Sequence, residues 1–280
     1  MSWEVFSRAD LRAGGLTPRQ ITAAVRAGEI IRARRGMYLA ADAPPALVGA
    51  VRVGGRLGCV SLLAAHGVFV FDSKRLHVHM ERGDSRMRSA ATSRALLPKA
   101  QRDEVLHWHE LLIPPARGHV DVIDALIHAV RCQTPRHAIA TLDSALHLQF
   151  IDQSALADIA HASPSRFRPL FALVDGRAQS GTETLVRLLL LALGCGVELQ
   201  VAFAGVGFVD LVVDGWLVIE CDSRAFHSSW EQQRKDHQRD LALAALGYTV
   251  LRIAAEDILY RPEGVLHALR GLLRGPRSPR

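Results

Sequence analysis

Two carboxylates interrupt apolar, strand-like stretches toward the C-terminal end of the chain: Asp210 within Phe208–Val213 and Glu220 within Trp216–Asp222. A charge set into a half-buried strand is costly unless something compensates it. Between the two stretches Asp214-Gly215 reads as a turn, and turn chemistry alone explains Asp214. A two-residue turn at 214–215 pairs Asp210 with Ile219 and so puts a charge and a core residue on one face. A three-residue loop over 213–215, with Gly215 at the positive-φ position, pairs Asp210 with Val218 instead. In that register Val209, Leu211, Leu217, Ile219 and Cys221 face the core. Asp210, Glu220 and Asp222 share the opposite face, with Glu220 diagonal to Asp210. Three carboxylates on one patch repel one another in the absence of a cation. Oxygen-only donors favour Mg²⁺, with Mn²⁺ as second choice, and Asp210 and Glu220 are the expected ligands. Such an ion activates water and stabilises the charge of an in-line attack on phosphate.

The flanking sequence supplies elements to position this pair. Ser180-Gly-Thr-Glu183 opens an apolar helix, Thr182–Leu193, that stops at Gly194, and a strand Val197–Phe203 follows. Glu183 lies third after Ser180, so a capping box accounts for it as well as a place in the site does. Beyond the hairpin, Ser228-Ser-Trp-Glu231 is a second capping box, opening a helix from Trp230 to Leu246 that Gly247 closes as a left-handed cap. Tyr248–Ile253 is a last strand. The expected fold class is α/β, with residues 178–275 forming an α/β sandwich on a mixed sheet.

The first 42 residues read as a winged helix-turn-helix. Ser7-Arg-Ala-Asp10 starts a short helix, Thr17-Pro18 supplies an N-cap and a proline for a second that runs to Gly28, and Glu29–Leu39 forms two strands around Arg34-Arg35-Gly36. In that layout the second helix, with Arg19, enters the major groove of DNA, and Arg32, Arg34 and Arg35 on the wing meet phosphates. Ala43-Pro-Pro45 reads as a linker to a mostly helical α+β middle domain, 46–173. Two pairs there, His77-Val-His79 and His107-Trp-His109, share a strand face at i, i+2, the spacing of a chelating pair. With no carboxylate or cysteine at ligand spacing beside them, they read as histidines on a solvated strand face.

Composition sets the outer bounds. Hydrophobic residues make up 49% of the chain, which excludes wholesale disorder. Net charge is +6, and residues 1–40 hold seven Arg against three acids, a front end suited to an anionic partner; the excess of Arg over Lys also fits a GC-rich genome. The cysteines, Cys59, Cys132, Cys195 and Cys221, are scattered with no CxxC pair, which argues for reduced thiols in the cytoplasm and against a zinc ribbon or disulfide framework. The longest apolar run, Leu188–Leu193, is too short to span a bilayer, so a soluble cytoplasmic protein with no membrane partner is expected.

Taken together, Glu183, Asp210 and Glu220-Cys-Asp222 resemble the PD-(D/E)XK nucleases, and more closely the branch similar to very-short-patch-repair endonucleases. The likeness continues through His227, then Arg234-Lys-Asp236-His-Gln-Arg239-Asp240, and ends on Leu246-Gly-Tyr-Thr-Val-Leu-Arg252. It implies a restriction-endonuclease-like domain in which Glu183, Asp210, Glu220 and Asp222 are catalytic, and Arg234 and Arg239 contact nucleic acid. Where typical members carry lysine, this chain has Asp222, and the resemblance then points to His227 as general base or water-orienting group. Leu11–Tyr38 followed by Val60-Ser-Leu-Leu-Ala-Ala-His-Gly67 resembles the winged-helix part of type IV, abortive-infection antitoxins, implying DNA and a cognate toxin as partners. Two functions follow: a Mg²⁺-dependent endodeoxyribonuclease, or a non-catalytic DNA-binding antitoxin or repressor whose nuclease domain has degenerated.

Overall fold

A computed structural model describes residues 3–84, 87–92, 98, 101–222 and 230–275. The chain divides into two compact units, one of residues 1–134 with 151–168, the other of 135–150 with 169–280. Both mix helices with sheets.

The first unit opens with β1 (Val5–Ser7), α1 (Arg8–Ala13), α2 (Pro18–Ala27), β2 (Ile30–Arg34) and β3 (Met37–Ala40). Both helices begin at reciprocal capping boxes, Ser7 with Asp10 and Thr17 with Gln20, which satisfy amide donors that have no partner within the helix. Gly28 ends α2 in the left-handed conformation, as its position after the apolar stripe predicts. The strands form an antiparallel sheet in the order β1-β3-β2. Next come α3 (Pro45–Val53), which packs against β2, then β4 (Arg56–Leu57), α4 (Cys59–Ala65), β5 (His77–His79) and β6 (Val105–His107). These last strands make a second sheet, β4-β5-β6, antiparallel and then parallel. The helix α5 (Val122–Cys132) packs on α4 and on α7 (Gln153–Ala162).

The second unit holds α6 (Pro135–His147), α8 (Arg168–Phe171), α9 (Gly181–Ala192), β7 (Val197–Phe203), β8 (Gly207–Val213), β9 (Leu217–Asp222), α10 (Trp230–Ala245), β10 (Thr249–Ala254), α11 (Ala255–Tyr260) and α12 (Pro262–Arg274). Its sheet runs β10-β9-β8-β7, with β10 parallel to β9 and the other pairs antiparallel, so it is mixed. Parallel pairing needs a crossover, and α10 supplies it. On α9 the buried side chains Leu185, Val186 and Leu190 contribute about 1.5–3 kcal/mol each by leaving water. Asp143 on α6 fixes that helix: its buried carboxylate accepts from Thr184 Oγ1 (2.8 Å), Arg187 (2.8 Å) and the Asp175 N–H (2.7 Å). Among the described residues no helix is long and apolar enough to cross a membrane.

The hairpin register differs from expectation. Asp214 and Gly215 both take left-handed φ, 48° and 73°, and the Trp216 N–H closes the turn on the Val213 carbonyl at 3.1 Å. Trp216 then adds a residue before the ladder starts at Val213↔Leu217, so the loop covers 214–216 rather than 213–215. The slip is two positions, an even number, so every side chain keeps its expected face. What changes is the pairing: Asp210 lies directly opposite Glu220, not diagonal to it.

Candidate active site

A polar row crosses this sheet at one level. The β7–β8 register sets Gln200 opposite Asp210, the β8–β9 register sets Asp210 opposite Glu220, and β10 pairs Arg252 with Glu220. The ladders open locally at Asp210. Gln200 has φ 53°, a left-handed conformation that costs a non-glycine residue about 1–3 kcal/mol, and is skipped in the β7–β8 pairing. On the other side the Asp210 carboxylate itself accepts the Cys221 N–H, at 2.7 Å.

Glu183 reaches the same place from the first turn of α9. Its backbone N–H donates to the Ser180 hydroxyl at 3.2 Å, as a capping residue's does, but its carboxylate turns away from a reciprocal box. Oε2 accepts the Gln179 N–H (2.9 Å) and the Gln200 side-chain amide (3.0 Å). Gln200 therefore couples Glu183 to the Asp210 level of the sheet. No sequence signal marks it, because an amide in an alternating strand is ordinary and its backbone conformation is invisible in the sequence.

The electrostatics follow from burial. Removal from water, then repulsion from Asp210, pushes the Glu220 carboxyl up to about 7, against the pull of Arg239 and Arg252. Burial also raises Asp210, opposed by the Cys221 N–H bond and reinforced by Asp222. Glu183 is raised by burial as well, with Asp210 adding to the shift. Three acids are thus held close together in a site too dry to ionise them all easily.

Two arginines partly answer them. Arg239 on α10 donates to Glu220 Oε1 at 3.0 Å and to the Phe208 carbonyl at 2.6 Å, so its guanidinium is turned into the site. Arg252 grips Asp240 with two bonds (3.1 and 2.9 Å) and reaches Asp222 at 3.3 Å. Asp222, half-exposed, belongs to this outer ion pair. Arg234 is exposed on α10. His227 and the Ser228–Glu231 capping box lie outside the described residues, apart from the backbone of α10 and the exposed Trp230.

In the first unit Arg19, Arg32 and Arg35 are exposed on α2, β2 and the hairpin tip. Arg34 is half-buried, its guanidinium so close to Gly54 that a side chain there would collide with it.

The histidine pairs require a correction. His79 and His107 do not lie on a solvated strand face but are buried, while His77 is half-buried and His109 exposed. His79 stacks on His128 of α5, and burial holds these two imidazoles down to about 4 and about 3. The chelating arrangement joins one histidine of each pair rather than the two of either pair. His77 and His107, from neighbouring strands, meet with ring nitrogens 3.1 Å apart, and Cys59 and Cys132 join them. No cysteine stands at ligand spacing along the sequence, but folding brings Cys59 and Cys132 to the pair from remote parts of the chain.

Residues 183–273, the segment that carries the polar row, match the family model REase_MTES_1575. That family is restriction-endonuclease-like. Residues 1–41 match the AbiEi_4 family, described as a transcriptional regulator, AbiEi antitoxin. Two proteins of Mycobacterium tuberculosis, the uncharacterized proteins MT2308 (strain CDC 1551 / Oshkosh) and Rv2248 (strain ATCC 25618 / H37Rv), are each 28% identical over 265 residues, 88% of this chain and 93% of theirs. The chain thus joins an antitoxin-regulator-like N-terminal part to a restriction-endonuclease-like C-terminal domain, and Asp210, Glu220 and Glu183 all fall within the latter.

Proposed function

We propose that the protein is a metal-dependent DNA endonuclease, in which residues 1–42 fold as a winged helix-turn-helix that locates DNA and the restriction-endonuclease-like domain hydrolyses a phosphodiester bond. The observation that carries the reading is the opposed pair of half-buried Asp210 and buried Glu220, with Glu220 pushed up to about 7. A donor set made only of carboxylate oxygens, short of counter-charge, fits a hard divalent cation such as Mg²⁺. Asp210 and Glu220 would hold it, and when bound it supplies Lewis acidity toward the phosphate and an activated water.

The chain's own residues do the rest. The Cys221 N–H fixes the Asp210 carboxylate, and Gln200 with the Gln179 N–H fixes Glu183. Arg239, already at Glu220, stands where it can move to a phosphate oxygen once a cation takes its place. His227 is the group we assign to orienting the attacking water, since position 222 carries aspartate in place of lysine. Arg19 meets the DNA in the major groove, Arg32, Arg34, Arg35 and Arg234 meet its backbone, and a defence or toxin–antitoxin setting with a cognate toxin fits the N-terminal likeness.

A second reading rests on a specific contact. Arg239 on Glu220 and Arg252 on Asp222 already neutralise part of the patch, as a non-catalytic antitoxin or repressor with a retained fold would have it. Incubation of purified protein with plasmid and single-stranded DNA in Mg²⁺ or Mn²⁺ separates the two. The nuclease reading expects nicking that Asp210→Ala and Glu220→Ala each abolish. Salt-sensitive operator binding without metal-dependent turnover would overturn it in favour of the regulator.

A further inference from the structure

We propose that Cys59, His77, His107 and Cys132 form a structural zinc site in the first unit, separate from the carboxylate row. One donor atom from each residue lies within 4.8 Å of all the others. The Cys132 sulfur is 3.9 Å from His77 Nδ1 and 3.8 Å from His107 Nε2, and the two nitrogens are 3.1 Å apart. A tetrahedron with Zn–S of about 2.3 Å and Zn–N of about 2.0–2.1 Å has sulfur–nitrogen edges of about 3.5–3.6 Å and a nitrogen–nitrogen edge of about 3.3 Å. The observed edges agree within a few tenths of an ångström.

Chemistry and surroundings point the same way. Two thiolates and two neutral imidazoles balance the charge of Zn²⁺, so a site with buried Cys59 and His107 carries no net charge when filled. Binding releases one proton from each thiol to solvent. Soft sulfur with imidazole selects zinc over magnesium, and four protein ligands leave no open position, which makes the site structural. The ligand geometry is supported from outside. His128, one turn before Cys132 on α5, stacks on the His107 ring at 5.1 Å with the planes 9° apart. Cys59, at the start of α4, holds φ at 50°, a conformation unfavourable for cysteine and kept at the point that presents its sulfur to the cluster. The four ligands come from α4, β5, β6 and α5, each at least eighteen residues from the next. Zinc would staple the β4-β5-β6 sheet to the two helices beside it.

Metal analysis of the full chain, purified with zinc in the growth medium and under reducing conditions, tests this. The expectation is one zinc per chain that survives gel filtration in EDTA, is lost in Cys132→Ser and in His107→Ala, and is kept in Asp210→Ala. Cobalt substitution of the wild-type chain should give the visible bands of a tetrahedral ion and thiolate-to-cobalt charge transfer, a readout that needs no variant to fold. Zinc-free protein whose thermal unfolding ignores added zinc would overturn the proposal. So would zinc retained in both variants, cobalt spectra without thiolate bands, or a Cys59–Cys132 disulfide in protein kept reduced.

Discussion

Replacing Glu220 by glutamine should make the protein in EDTA more stable and, if the proposed metal site is right, remove the stabilisation that a divalent ion gives. Glu220 binds its proton more tightly in the folded chain, with its carboxyl at about 7, than at the ordinary 4.5. Its contribution is therefore full below the ordinary value and is lost as pH rises through 7. At about 1.36 kcal/mol per tenfold change in proton affinity, the ionised side chain costs about 3 kcal/mol near pH 8. Glutamine keeps an oxygen for Arg239 and carries no charge, though weakening that bond gives back about 1 kcal/mol. Urea denaturation in EDTA should find Glu220→Gln more stable than wild type by about 1–3 kcal/mol near pH 8, and no more stable near pH 5. Added Mg²⁺ at a hundredfold excess over Kd should then stabilise the wild type by about 2.7 kcal/mol and leave the variant unmoved. A variant less stable than wild type at pH 8, or a difference independent of pH, would refute the reasoning.

Two further outcomes test the frame around the site. Asp143→Ala strips Arg187 of its buried partner and should cost about 3–5 kcal/mol, most of it recovered in Asp143→Leu/Arg187→Met; equal losses in the single and double variants would show that the pair is not what holds α9. Arg35→Ala at the exposed hairpin tip should lower the slope of log affinity for DNA against log salt by about 1 without changing sequence preference, and an unchanged slope would remove this tip from the DNA contact.

How far the sequence could be read depended on whether the information was local. Alternation along 208–213 and 217–222 was enough to sort Asp210 and Glu220 from Val209, Leu211, Ile219 and Cys221, because a strand's period of two leaves no other arrangement. The register was harder. Asp214-Gly215 announces a turn, but nothing marks Trp216 as the extra residue that shifts the pairing by two. Ser180 and Glu183 announced a helix start, yet the turning of that carboxylate toward Gln200 depends on the φ of a residue in another element. The helix starts at Ser7 and Thr17 need only three residues of context each, and both form as capping boxes. The Cys59, His77, His107 and Cys132 cluster is the opposite case. Its ligands sit in four elements with no short spacing, so only the packing of α4 and α5 against the small sheet brings them together.

The parallel pairing of β10 with β9 also sets an order of events along the folding chain. Asp210 and Glu220 are ten residues apart on one hairpin, a unit that closes in about 1–10 μs. Arg239 and Arg252 come nineteen and thirty-two residues after Glu220, on the crossover helix and the strand it delivers. Non-local pairing of this kind is slower because the loop must be closed before any contact rewards it. A hairpin that closed first would bring the acids together before their counter-charges arrive, and for that interval solvent ions and bound protons would relieve them. If the site binds a divalent cation as proposed, the same ion could relieve the acids while the domain folds as well as in the finished site.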